Sequence, residues 1–392
     1  MAEDSDYSAS DNDDEAENLE DKVPRPKQIK GVTDFVDISF HPSAFYTLVT
    51  ANMNGYVRMY NCTPGKDCEQ KAKVRVSKKP CRSVAFSYDG EDVICLTKDH
   101  SMHFVSTTTG SVKRRIKETH QASPYCLSVI DKNLLATGDD DGTVKVWDLR
   151  KGNGAVMTSD DKFADYVSDI AVDAKRRLIF SVSGDGTMAT FNVRQRKFIV
   201  QSQNEETDLL CVEVMKDNNK VVVGTADGPI LLYNWDEFAA PSDRFPGHPG
   251  PVDCITKVSE DVVCTASADG FIRAVHVLPN RFLGVVGDHH GLPVEKVRAT
   301  PDGKFLASIS HDNLIKFWSV GHLKDVQVCP RAKAIKGNKN EKMSKSGVGH
   351  GRMEFFADLD NDIDTSVFAS SVTSSDNDSD SDDSTFCNAN ER

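Results

Sequence analysis

The chain repeats itself. A ten-residue pattern, "DDDGTVKVWD" at residue 139, returns as "SGDGTMATFN" at 183, "TADGPILLYN" at 225 and "SADGFIRAVH" at 267. Weaker copies stand at 52 ("NMNGYVRMYN"), 97 ("TKDHSMHFVS") and 310 ("SHDNLIKFWS"). At the glycine position the seven copies carry Gly55, His100, Gly142, Gly186, Gly228, Gly270 and Asn313, spaced 42 to 45 residues apart. A period of this length restricts the chain to an array of like supersecondary units, each unable to bury its apolar face alone.

Each unit has the same grammar. Two short apolar runs, such as "YCLSVI" and "LLATG", precede an Asp-Gly pair and an alternating strand. Asp-Gly between such runs signals a tight hairpin, because the turn needs positive φ and glycine supplies it. A fourth strand, for example "GSVKRRIKE", completes the unit. Four strands at this period make one blade of a β-propeller. The predicted fold is therefore all-β, a seven-bladed propeller over residues 24–330, with its sheet edges protected by ring closure. Whether residues 24–31 add a closing strand is left open by the pattern.

The repeats resemble the WD40 family, in which a His, a strand Ser or Thr, the turn Asp and a Trp share a structural hydrogen-bond network. His120, Thr137, Asp141 and Trp147 match those positions in the third blade. The match fails elsewhere: Cys95 in blade two and Val223 in blade five stand where Thr137 does. These blades are expected to lack the full network. The three aspartates before Gly142 are not read as a calcium loop, since they are consecutive and no Glu closes the loop at its twelfth position. Asp141 is read as a turn residue, and His120 and His248 as structural.

Charge is placed unevenly. Residues 1–22 carry ten acids and one base, and residues 346–392 carry eleven acids and two bases. Both ends lack the apolar content to fold and are read as acidic disordered tails (1–23 and 353–392), with Ser-acid pairs suited to acidophilic kinases. No apolar signal segment opens the chain and no stretch is long enough to span a bilayer, so an intracellular protein without membrane association is expected. The ten cysteines form no C-x-x-C pair, so they are read as small buried residues, and no metal site is expected. No catalytic motif is found, and neither an enzyme nor a cofactor is expected.

Three segments carry interaction signals. "WDLR", with Trp147, Asp148 and Arg150, resembles the docking box of substrate receptors for cullin-4 ubiquitin ligases. An Arg there could enter an acidic pocket on an adaptor. A basic linker over 331–352 holds Arg331, Lys333, Lys336, Lys339, Lys342 and Lys345, candidates for contact with nucleic acid or an import receptor. Its "KMSKS" run matches a tRNA-synthetase signature but lacks the partner motif and the nucleotide-binding domain. Within "MEFFADL", Phe355 and Phe356 form an apolar island suited to docking.

The segments "PCRSVAFSYDG", "LATGDDDGTVKVWDLRKG", "LYNWDEFAAPSDRF" and "DGFIRAVHVLPNRFLGVVG", with "FFADL", are similar to those of the WD repeat-containing protein 55 family. The "RAV…LPNR" and "SDRF" pieces are particular to it. The resemblance implies a nuclear or nucleolar scaffold in ribosomal RNA production and ribosome biogenesis, with cytoplasmic presence left open. The expected partners are pre-ribosome assembly proteins, with pre-ribosomal RNA reached through the basic linker. A monomeric propeller within larger complexes is expected. The alternative is a substrate receptor of a cullin-4 ubiquitin ligase.

Overall fold

In a computed structural model the described residues are 24–326, apart from Asn153, together with Val328. They form seven four-stranded antiparallel sheets. Strands are lettered a to d from the axis outward. Blade three shows the pattern: Pro124–Val129 (a), Leu134–Asp139 (b), Val144–Asp148 (c) and Ala155–Ser159 (d). Strand a of each blade touches strand a of the next, and that of blade one touches that of blade seven. The ring is thereby closed around an axis. The seven-bladed all-β fold expected from the repeat is the observed one.

The apolar runs follow from this stacking. In Val93–Thr97 of blade two and Leu135–Asp139 of blade three every residue is buried, because both faces of a b strand meet a neighbouring blade. One such interface packs Cys126, Val144 and Val146 of blade three against Val167, Ile170 and Phe191 of blade four. Strand d lies outermost and alternates instead, as in Glu69–Arg75 of blade one, where Ala72 and Val74 are half-buried and their neighbours exposed.

The glycine position is a steric requirement. Gly142 has φ +83°, and a Cβ there would lie 2.8 Å from the carbonyl oxygens of Phe163 and Asp165. The two weak copies keep the same backbone without glycine, His100 at φ 61° and Asn313 at φ 59°.

Blade seven is built from both ends of the described chain. Its sheet runs Val294–Ala299, Phe305–Ser310, Leu314–Ser319 and then Ile29–Lys30. Ile29 pairs with Ile315 and Lys30 with Leu314. Ile29 is buried in a cluster with Phe35 of blade one and Phe317 of blade seven. The N-terminal strand is thus the missing fourth strand of the last blade. A 3-10 turn, Gly321–Asp325, follows and buries Leu323.

Candidate interaction sites

Three of the four residues matched to the blade network meet in blade three. Trp147 Nε1 donates to Thr137 Oγ1 at 2.8 Å, and His120 Nε2 lies 2.6 Å from the same hydroxyl. The acid that completes the set is Asp139, 2.9 Å from His120 Nδ1, and not Asp141. The position of the acid has a physical cause. Asp139 closes strand b, and its other carboxylate oxygen accepts the amides of Asp141 and Thr143 at 3.1 and 2.7 Å. Asp141 is left facing solvent. Asp140 pairs with Arg82 of blade two at 3.0 Å. The three consecutive acids thus do three different things. Sequence carries a signal for this: an Asp whose carboxylate can reach amides two and four residues on is an Asx-turn former.

Blade seven uses the turn position after all. His289 meets Asp312 and Ser308, each at 2.7 Å, and Trp318 donates to Ser308 at 2.8 Å. The residue matching Asp139 there is Ser310, which has no carboxylate to offer. In blade six His248 reaches Thr265 at 2.9 Å, but Asp269 turns to Arg273 at 2.6 Å. His248 Nδ1 then has no partner. Burial lowers the pKa of all three histidines, partly offset by the carboxylate contacts of His120 and His289. Buried and neutral, they hold strands together.

The Arg150 corner lies where strand c of blade three turns into strand d, at the end of the ring opposite the Asp-Gly turns. Arg150 is forked onto Asp148, Nε to Oδ1 at 2.9 Å and Nη2 to Oδ2 at 2.8 Å. The Asp148 side chain is only 4% exposed while that of Arg150 is 64% exposed. The pairing draws the Asp148 carboxyl down to about 2. The guanidinium is therefore oriented by a nearly buried acid, with much of its surface still facing water.

A second corner lies at the same end, between blades five and six. The "SDRF" and "LPNR" pieces meet there: Asn280 Nδ2 donates to Asp243 Oδ2 at 2.6 Å. Beneath them the rings of Phe245 and Phe282 stand 4.9 Å apart, and His248 packs on Phe282 at 5.0 Å. Lys216 of blade five pairs with Asp261 of blade six beside the same turn. Asp243, Arg244, Leu278 and Arg281 are exposed. Residues nearly forty apart in sequence therefore present one continuous surface.

The axial channel is polar. A cavity of about 250 Å³ is lined by Asp37, Asp169, Glu213, Thr256 and Arg298 among others. Burial raises Glu213 to about 7 and Asp253 to about 6. Asp37 accepts Ser83 Oγ and the Val84 amide, each at 2.8 Å, and so links blade one to blade two. Among the described residues no group of three or more His, Cys, Asp or Glu could hold a metal ion. The basic run Arg331, Lys333, Lys336, Lys339, Lys342 and Lys345, the pair Phe355 and Phe356, and both acidic tails lie outside the described residues.

Comparison with known proteins gives one consistent answer. The family profile WDR55 matches residues 26–323. Human WD repeat-containing protein 55 is 40% identical over 293 residues, covering 74% of this chain and 76% of its own. The mouse protein of that name is 37% identical over 328 residues, covering 82% and 84%. A WD repeat-containing protein 55 homolog of Drosophila willistoni is 34% identical over 365 residues, 90% of this chain and 71% of its own.

Proposed function

The chain belongs to the WDR55 family of WD repeat proteins, and on that premise we propose that it is a non-enzymatic scaffold of ribosome biogenesis, acting in ribosomal RNA production or processing in the nucleolus. The observation that carries this reading is the corner between blades five and six. The segments that most resemble the family are split between two blades, yet Asn280 and Asp243 join them into one exposed surface. A stability role alone would not require polar side chains at a solvent-facing junction, whereas a protein partner reads such a surface directly. The cations between residues 331 and 345 supply the electrostatic attraction that a ribonucleoprotein or an import receptor would use.

The test is affinity purification of the tagged full chain from nucleolar extract. Co-purification of ribosomal precursors and assembly factors supports the scaffold reading; their absence, with the protein spread through the cytoplasm, overturns it. The Arg150 corner favours a second reading, that of a substrate receptor for a cullin-4 ligase. Asp148 holds Arg150 in one bidentate geometry, which lowers the ordering cost of inserting it into an adaptor pocket. Recovery of the ligase adaptor with the wild-type chain, and its loss with Arg150→Ala, would establish that reading.

A further inference from the structure

The described ring is close to neutral but strongly polarised. Residues 24–118 carry sixteen Lys and Arg against nine Asp and Glu, while residues 119–326 carry twenty-two against twenty-nine. The excess is concentrated between residues 69 and 117, with eleven bases and five acids. Strand alternation puts Lys71, Lys73 and Arg75 on the exposed face of the outer strand of blade one. Lys78 and Lys79 follow in the connection to blade two, and Lys98 and Lys117 lie exposed on blade two itself.

These groups form one surface. Ser77 Oγ donates to Asp99 at 3.0 Å, Arg115 pairs with the same carboxylate at 2.8 Å, and the Lys98 amide donates to the Pro80 carbonyl at 2.9 Å. Asp99, the acid in its midst, is therefore already taken. Among the described residues Lys73, Lys78, Lys79, Lys98 and Lys117 make no ion pair. Lys73 Nζ and Arg75 Cζ stand 4.9 and 5.5 Å from the centre of the Tyr56 ring, which steadies both long side chains. Lysine on an outer strand also discourages edge-to-edge pairing. That need is shared by every blade, yet the outer strand of blade three reads "AVMTS".

We propose that the outer edge of blades one and two docks single-stranded RNA. A row of cations with a guanidinium held over an aromatic ring suits phosphates and unpaired bases together. An acidic peptide would use the charges alone.

The experiment uses the full chain with Lys333, Lys336, Lys339, Lys342 and Lys345 changed to Gln, so that the linker does not mask the propeller. The probe is a labelled oligouridine of about 20 nucleotides, longer than a single binding site. Changing Lys73, Arg75, Lys78 and Lys79 to Gln should weaken binding about tenfold or more at low salt. It should also reduce the slope of log affinity against log salt by about 3. Lys78→Gln with Lys79→Gln, which leaves the Tyr56 contacts intact, should give about half the change in slope at an unaltered melting temperature. Changing Arg194, Arg196 and Lys197 on blade four should leave affinity within about twofold. Unchanged affinity in the blade-one variants overturns the proposal. So does an equal loss in the blade-four control, or displacement of the RNA by polyglutamate at matched charge, which would assign the edge to an acidic protein segment. The outcome is independent of whether the chain co-purifies with ribosomal precursors.

Discussion

His120 and Asp139 meet at 2.9 Å inside blade three, both with almost fully buried side chains, while Asp141, two residues on, faces water. Replacing Asp139 with Ala would leave His120 Nδ1 and two turn amides without their acceptor. A loss of about 1–3 kcal/mol in unfolding free energy is expected. Asp141→Ala should fall within about 0.5 kcal/mol of wild type, as surface changes do. Urea denaturation of both variants checks this, and the reverse ranking would assign the network to Asp141.

The second prediction concerns Ile29. Its side chain is buried between blades one and seven, and its strand covers the outer edge of Leu314–Ser319. Ile29→Asp exchanges a buried apolar side chain, worth about 1.5–3 kcal/mol on transfer, for a carboxylate. It also frees a strand edge that can recruit other chains. Lower stability should therefore appear together with self-association in sedimentation velocity. A destabilised variant that stays monomeric would show that the exposed edge is harmless.

A pH dependence follows from buried histidines. His103 faces Arg115 and Asp99, and His248 faces Arg273 and Asp269; burial lowers each to about 4. An unfolded histidine titrates near 6.5. The folded value is the depressed one, so the unfolded chain gains protons first as the solution is acidified. Stability from these groups is complete above about pH 6.5 and falls toward pH 4, by at most about 1.4 kcal/mol per pH unit for each. Glu213, raised by burial to about 7, acts with opposite sign, costing stability as pH rises from about 4.5 to 7. Unfolding free energies measured across this range should depend less steeply on pH in His248→Gln than in wild type. Parallel curves would mean that His248 titrates in the fold as it does in the unfolded chain.

The corner between blades five and six gives a binding prediction. Asn280→Ala removes the 2.6 Å contact with Asp243 at an exposed junction. Stability should change by no more than about 0.5 kcal/mol, whereas recovery of assembly partners in affinity purification should drop. Full recovery would move the partner site elsewhere on the ring.

The sequence made the ring legible because its strongest signal is periodic. Gly142 and its equivalents mark hairpins whose backbone needs positive φ, so blade number and turn positions could be counted. The closing strand was not legible, since Ile29–Lys30 is too short to show alternation and its pairing partner lies at the far end of the chain. The network acid is not legible for a subtler reason. Asp139 and Asp141 differ in role only through which carboxylate can reach His120 across the blade, and blade seven solves the same problem with Asp312. The surface joining Asp243 to Asn280 was visible as two separate likenesses, and only the ring brings them together.

The pairing of Ile29 with Ile315 also sets an order of events during synthesis. A ribosome adds residues at roughly 5–20 per second, so the first strand emerges many seconds before the strand it must join. Six blades can form on the nascent chain from neighbouring segments, while the seventh waits until Leu314–Ser319 has been made. The most non-local strand pairing among the described residues is thus its last, and such pairings are slow to form. Until then, Ile29 and the edge of Leu314–Ser319 are open to chaperones and to the corresponding segments of other nascent chains. Premature termination before residue 314 would leave a ring with no means of fastening, even with six blades intact.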